Sequence, residues 1–118
     1  LIDAAYAKAV RLYTSAVLLA ELRGVLMRPK FARQLELRRL SSQEVFDGYA
    51  ALATIVTPAI IRPTVLDDPA DDAVLACALA AKADLVVSGD GDLLALKAFQ
   101  GILIVPPAEA LVKIEQAR

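Results

Sequence analysis

The stretch DDAVLACALAAKADLVVSGDGDLLALKAF, residues 71–99, together with QGILIV at 100–105, decides how this chain folds. Asp71 or Asp72 opens an alanine- and leucine-rich run whose composition predicts a helix. Asp84–Val87 (DLVV) is a short apolar run of the kind expected for a strand buried on both faces. SGDGD at 88–92 makes a turn, LLALKAF at 93–99 reads as a short helix, and Gly101 ends it. Ile102–Val105 (ILIV) is a second apolar strand, and Pro106 and Pro107 stop it and open a last helix, AEALVKIEQ. Strand, helix and strand in quick succession predict parallel strands joined by a crossover, hence an α/β fold.

Working back toward the start, the signals are weaker. Ile55–Val65 holds β-branched residues with Pro58 and Pro63, as a loop or an edge strand does. Ser41 or Ser42 is suited to cap a helix running to about Thr54, with Glu44 in its first turn. Pro29 closes one helix (Ala16 to about Met27, capped by Ser15) and opens the next, Lys30 to about Leu37. Val10–Thr14 reads as a strand, and Leu1–Ala9 as the end of an amphipathic helix. No repeat, low-complexity tract or linker interrupts the 118 residues, which suit one domain.

Composition narrows the chemistry. The chain is 58% hydrophobic but only 5% aromatic, so its core is built from Leu, Val, Ile and Ala. The longest run without a charge, Gly48–Ile61, is too short to span a bilayer and contains Pro58, and no signal peptide is visible. With a single cysteine there is no internal disulfide, and with no histidine there is no structural zinc set. Cys77, inside VLACALA, reads as a small buried hydrophobe. Catalysis without histidine must rest on carboxylates. The net charge of −1 conceals a segregation. Arg23, Arg28, Lys30, Arg33, Arg38 and Arg39 are offset only by Glu36. Asp67, Asp68, Asp71, Asp72, Asp84, Asp90 and Asp92 are offset only by Lys82.

Ligand sites in open parallel sheets lie beyond the carboxyl ends of the strands, where Ser88, Asp90 and Asp92 follow DLVV. Glycines at 89 and 91 are expected to let this backbone turn tightly. The alternative is a polar loop in which Asp90 or Asp92 caps the next helix. Asp72 suits a helix start on dipole grounds alone, but four acids within Asp67–Asp72 exceed that need. Two carboxylates ~4 Å apart repel by roughly 4 kcal/mol at an effective dielectric near 20. If this loop converges on Asp90, a cation should lie between them, and oxygen ligands favour Mg²⁺ or Mn²⁺. A solvated acidic loop is the alternative. Glu21 borders the apolar face of its helix, and taken alone it reads as a surface acid. The basic segment suits a phosphate backbone or, equally, a solvated helix face.

YTSAVLLAELRGVLMRPKF (13–31), DDPADDAVLACALAAKADLVVSGDGDLLAL (67–96) and GILIVPPAEAL (101–111) resemble, in that order, the PIN-domain ribonucleases. The branch that fits best is the VapC-like toxins of bacterial toxin–antitoxin systems. The resemblance implies a three-layer α/β/α fold with a parallel sheet and an acidic site binding Mg²⁺ or Mn²⁺. By motif, Glu21, Asp72 and Asp90 correspond to the metal-binding catalytic acids, Asp92 to an auxiliary catalytic acid and Ser88 to a supporting hydroxyl. It implies hydrolysis of RNA, a cognate antitoxin as partner and a homodimer, while the single cysteine fits a reducing cytoplasm. Arg23, Arg28, Lys30 and Arg33 are then the bases that would position RNA. The family pattern opens with a strand ending in an Asp ligand. No such strand is seen ahead of Leu1, so residues 1–118 read as one domain without it. The expectation is therefore a metal-dependent endoribonuclease or, alternatively, a catalytically impaired PIN-like binding module. A receiver-type phosphotransfer domain is disfavoured, because the first lysine after ILIV is Lys113.

Overall fold

Side-chain caps fix where the helices begin. The computed structural model describes residues 10–65 and 68–117, so the helix end expected over Leu1–Ala9 and the acid Asp67 lie outside the described residues. In chain order the elements are β1 (Leu12–Thr14), α1 (Ala16–Leu26), α2 (Pro29–Leu37), α3 (Ser42–Leu52), β2 (Ala53–Ile55), α4 (Pro69–Ala81), β3 (Leu85–Val87), α5 (Gly91–Leu96), β4 (Ala98–Phe99), β5 (Ile102–Val105) and α6 (Pro107–Ala117). Ser15 Oγ accepts from the Leu18 N–H at 3.4 Å, and Ser41 Oγ from the Glu44 N–H at 3.0 Å. Each satisfies one of the donors a helix start leaves open. Pro29 stands at the first position of α2, where its missing N–H costs nothing. Ser42 Oγ donates to the Leu26 carbonyl at 2.6 Å, tying the start of α3 to the end of α1.

The chain is α/β. β1 and β2 pair in parallel, Leu12 opposite Ala53 and Thr14 opposite Ile55. β3 and β5 also pair in parallel, Leu85 opposite Leu103 and Val87 opposite Val105. Helix α4 packs against both β1 and β3 and so bridges the two groups of strands. Its C-terminus closes on Lys82 in the left-handed conformation (φ 52°, ψ 46°), with the Ala83 N–H donating to the Ala78 carbonyl at 3.0 Å. This is the reversal that turns the chain from α4 into β3.

Two expectations need correction here. LLALKAF is not helical throughout: α5 stops at Leu96, Lys97 takes φ 63°, and Ala98–Phe99 form β4, antiparallel to β5. Gln100 and Gly101 link β4 to β5 with φ 47° and 85°, the paired positive values of a two-residue hairpin turn whose twist matches its strands. β5 is also less enclosed than expected. Ile102, Ile104 and Val105 are buried, whereas Leu103 stays 44% exposed.

The core gathers Leu75 and Ala78 of α4, Val86 of β3, Leu93 of α5, and Ile102 and Ile104 of β5. Leu75 has no exposed surface at all. Truncating Leu75 to Ala is expected to destabilise the protein by about 2–5 kcal/mol, the usual range for such a cavity. Urea unfolding of the two proteins measures it, and a loss below about 1 kcal/mol would mean that this core collapses around the gap.

Candidate metal centre

The site is assembled where α4 and α5 begin. Asp68 precedes α4 in extended conformation, and its Oδ1 accepts from the Ala70 N–H at 3.1 Å, with Pro69 at the first helical position. Asp90 precedes α5 in the same way, and its Oδ2 accepts from the Leu93 N–H at 3.0 Å. Both carboxylates are therefore helix caps that use one oxygen locally and keep a second to offer. Ser88, immediately after β3, places Asp90. Its N–H donates to the Val105 carbonyl at 3.1 Å, and its Oγ accepts from the Asp90 N–H at 3.0 Å. Neither Gly89 nor Gly91 adopts a positive φ, and a side chain at either would meet open space. The tight turn expected of these glycines is supplied instead by the serine and aspartate side chains.

Asp71 completes the cluster. It lies in the first turn of α4, is only 6% exposed, and has one oxygen, Oδ2, buried without a hydrogen-bond partner. Asp68, Asp71 and Asp90 each bring a carboxylate oxygen to within 4.8 Å of the others. Burial pushes the Asp71 carboxyl up to about 7, with further contributions from its contact with Asp90 and from the charges of Asp90, Asp68 and Asp92. Asp90 moves the opposite way. The Leu93 N–H holds it below the usual carboxylate range, helped by Asp71. Such a divided set accommodates its charge by keeping a proton on Asp71 or by exchanging that proton for a cation. A hard divalent cation fits, because every donor is a carboxylate oxygen and one of them is buried and unpartnered.

The residues anticipated from sequence are distributed differently. Asp90 and Ser88 fall at the cluster. Asp72 does not join it: its Oδ1 accepts from the N–H groups of Val65 at 2.8 Å and Thr64 at 3.1 Å, and its Oδ2 lies 3.2 Å from the Thr64 nitrogen. Of the adjacent pair, Asp71 is the one turned toward Asp90. Asp92 is exposed in the first turn of α5 and acts on Asp71 through its charge. Glu21 is exposed on α1, outside the three-carboxylate cluster. Among the bases, Arg28, Lys30 and Arg33 are exposed at the start and along the length of α2, while the Arg23 guanidinium lies 5.8 Å from the centroid of the Phe46 ring on α3.

Asp68 and Asp71 stood in the acidic loop weighed as a partner of Asp90 but were not singled out as ligands, although signals for both were present. Asp-Pro is a strong cap-and-first-turn pair. Asp71 stands one and two turns ahead of Leu75 and Ala78 on the face that enters the core.

Asp90, and with it the carboxylate cluster, thus lies beyond the carboxyl end of a parallel strand, where ligand sites of open α/β sheets are found. A family model described as PIN domain matches residues 1–92, and the chain belongs to the PIN-domain family. PIN domains are generally nuclease folds and usually bind a divalent metal. Comparison with curated proteins and with solved structures gave no match. Among the described residues, no helix is long and apolar enough to cross a membrane.

Proposed function

We propose that this protein is a metal-dependent endoribonuclease, the toxin of a toxin–antitoxin system, acting in the cytoplasm with Mg²⁺ or Mn²⁺ held by Asp68, Asp71 and Asp90. One observation carries this reading: the buried, unpartnered Asp71 oxygen grouped with two half-buried carboxylates in a PIN domain. A divalent ion in such a site supplies water activation and stabilisation of charge on a phosphate. The chain's own residues do the rest. Asp71 offers its charge from a dry position, where water screens it least. Ser88 and the Leu93 N–H hold Asp90 in one orientation. Glu21 and Asp92 are auxiliary acids that face solvent, from which RNA arrives. Arg28, Lys30 and Arg33 offer phosphate contacts along α2, and Arg23 does so while stacked on Phe46. A cognate antitoxin would cover this surface, and a homodimer is the expected assembly.

The test is cleavage of a mixed RNA by the purified protein with Mn²⁺, with EDTA and as the Asp90→Asn variant. Cleavage is expected with Mn²⁺ only, and Asp90→Asn should slow it by about a hundredfold or more, the scale of losing one electrostatic stabiliser. Mn²⁺ binding without any cleavage would reject the nuclease reading in favour of a binding module. Cleavage unchanged in Asp90→Asn would reject the site.

A further inference from the structure

We infer that Asp72 is a positioning residue: its carboxylate fixes the Thr64–Val65 peptide, and through Val65 the backbone of Asp68, while remaining outside the metal centre. The chain of contacts is continuous. Asp72 Oδ1 accepts from the Val65 N–H at 2.8 Å and from the Thr64 N–H at 3.1 Å. The Val65 carbonyl accepts from the Asp68 N–H at 3.2 Å. Asp68 in turn caps α4 through Oδ1 and belongs to the three-carboxylate cluster. Val65 is thus held at both of its backbone polar groups, its N–H by Asp72 and its carbonyl by Asp68, while its side chain packs against the core.

Helix geometry makes this division of labour unavoidable. Consecutive residues on α4 are rotated by about 100°, so Asp71 and Asp72 point in different directions. Asp71 enters the site and Asp72 reaches back over the segment that precedes the helix. A carboxylate already accepting backbone N–H groups is a strong anchor, because its hydrogen bonds are charge-assisted. Thr64 braces the same turn from the other side, its Oγ1 donating to the Arg62 carbonyl at 3.0 Å. The consequence is that the adjacent acids, so similar in sequence, do unlike work. One presents a ligand, and the other holds the backbone of a different ligand in place.

The metal arm of this inference rests on the proposed site; the backbone arm does not. The experiment compares wild type, Asp72→Ala, Asp72→Asn and Asp71→Asn by Mn²⁺ titration calorimetry and by amide hydrogen exchange. Asp72→Ala is expected to speed exchange at the Val65 and Asp68 amides by about tenfold, the cost of losing one such anchor. It should weaken Mn²⁺ binding by about 10- to 100-fold, the usual penalty for removing a supporting partner of a ligand. Asp72→Asn keeps an oxygen facing the Val65 N–H and should rescue Mn²⁺ binding to within about threefold of wild type. Asp71→Asn should leave no measurable binding. The inference is overturned if Asp72→Asn loses Mn²⁺ as completely as Asp71→Asn, which would make Asp72 a ligand. It is equally overturned if Asp72→Ala exchanges and binds as wild type does. If wild type itself takes no Mn²⁺, the metal reading fails, and exchange at Asp68 in Asp72→Ala still decides the positioning role.

Discussion

Asp71→Asn is expected to abolish Mn²⁺ binding and, in metal-free protein at pH 8, to raise the melting temperature by roughly 4 °C, the shift that about 1 kcal/mol produces in a domain of this size. Loss of function and gain of stability follow from the same group. Burial and three neighbouring acids raise the Asp71 carboxyl from 3.8 to about 7 in the folded protein. A group whose folded value is raised contributes stability that is fully present below its unfolded value and is lost as pH climbs through the folded one. For Asp71 the loss therefore runs from about pH 4 to about pH 7. Above that window the metal-free protein carries an ionised carboxylate with a buried, unpartnered oxygen, and Asn removes that charge. At pH 5 Asp71 is largely protonated in the fold, so most of the gain should vanish. Melts at pH 5 and pH 8 in EDTA measure the difference. An equal gain at both values would show that the charge of Asp71 is not its cause.

Mn²⁺ affinity itself should rise by about tenfold per pH unit up to about pH 7 and then level off. A ligand carboxylate must be deprotonated, so a cation entering the cluster displaces the Asp71 proton below the pH where that proton leaves unaided. Asp90 adds nothing to this slope, because its carboxyl is held below the ordinary range and is ionised throughout. Calorimetry at pH 6, 7 and 8, in two buffers of different ionisation heat, reads both the affinity and the proton released. Close to one proton is expected at pH 6 and close to none at pH 8. A flat profile would separate Asp71 from the ion.

These predictions concern a residue that motif spacing did not select. The strands DLVV and ILIV and the helix between Asp71 and Ala81 were legible because their apolar runs agree with the acids that open the helix and with the breakers Gly101 and Pro106-Pro107 that bound ILIV. β4 was not, because LLALKAF is nearly all good helix formers; the helix ends early at Lys97, which takes a positive φ ahead of the hairpin turn at Gln100–Gly101. The site was legible to within one residue. Adjacent aspartates are equivalent in composition and charge, and what separates Asp71 from Asp72 is rotation about the helix axis relative to Leu75 and Ala78. Asp68 was hidden for another reason. The helix was expected to open at Asp71 or Asp72, whereas Pro69 opens it and leaves Asp68 as its cap. Ser88 and Asp90 were found because the turn after a parallel strand leaves few other places for a ligand.

Asp68 and Asp90 each hold up a helix with the same carboxylate that they turn toward the cluster. An alanine scan of this protein would therefore confuse two losses, since alanine at a helix cap costs about 0.5–2 kcal/mol before any chemistry is considered. Asparagine caps nearly as well as aspartate and carries no charge. A variant meant to remove charge from the cluster should thus be built with asparagine at Asp68 or Asp90, keeping the helix cap while silencing the carboxylate.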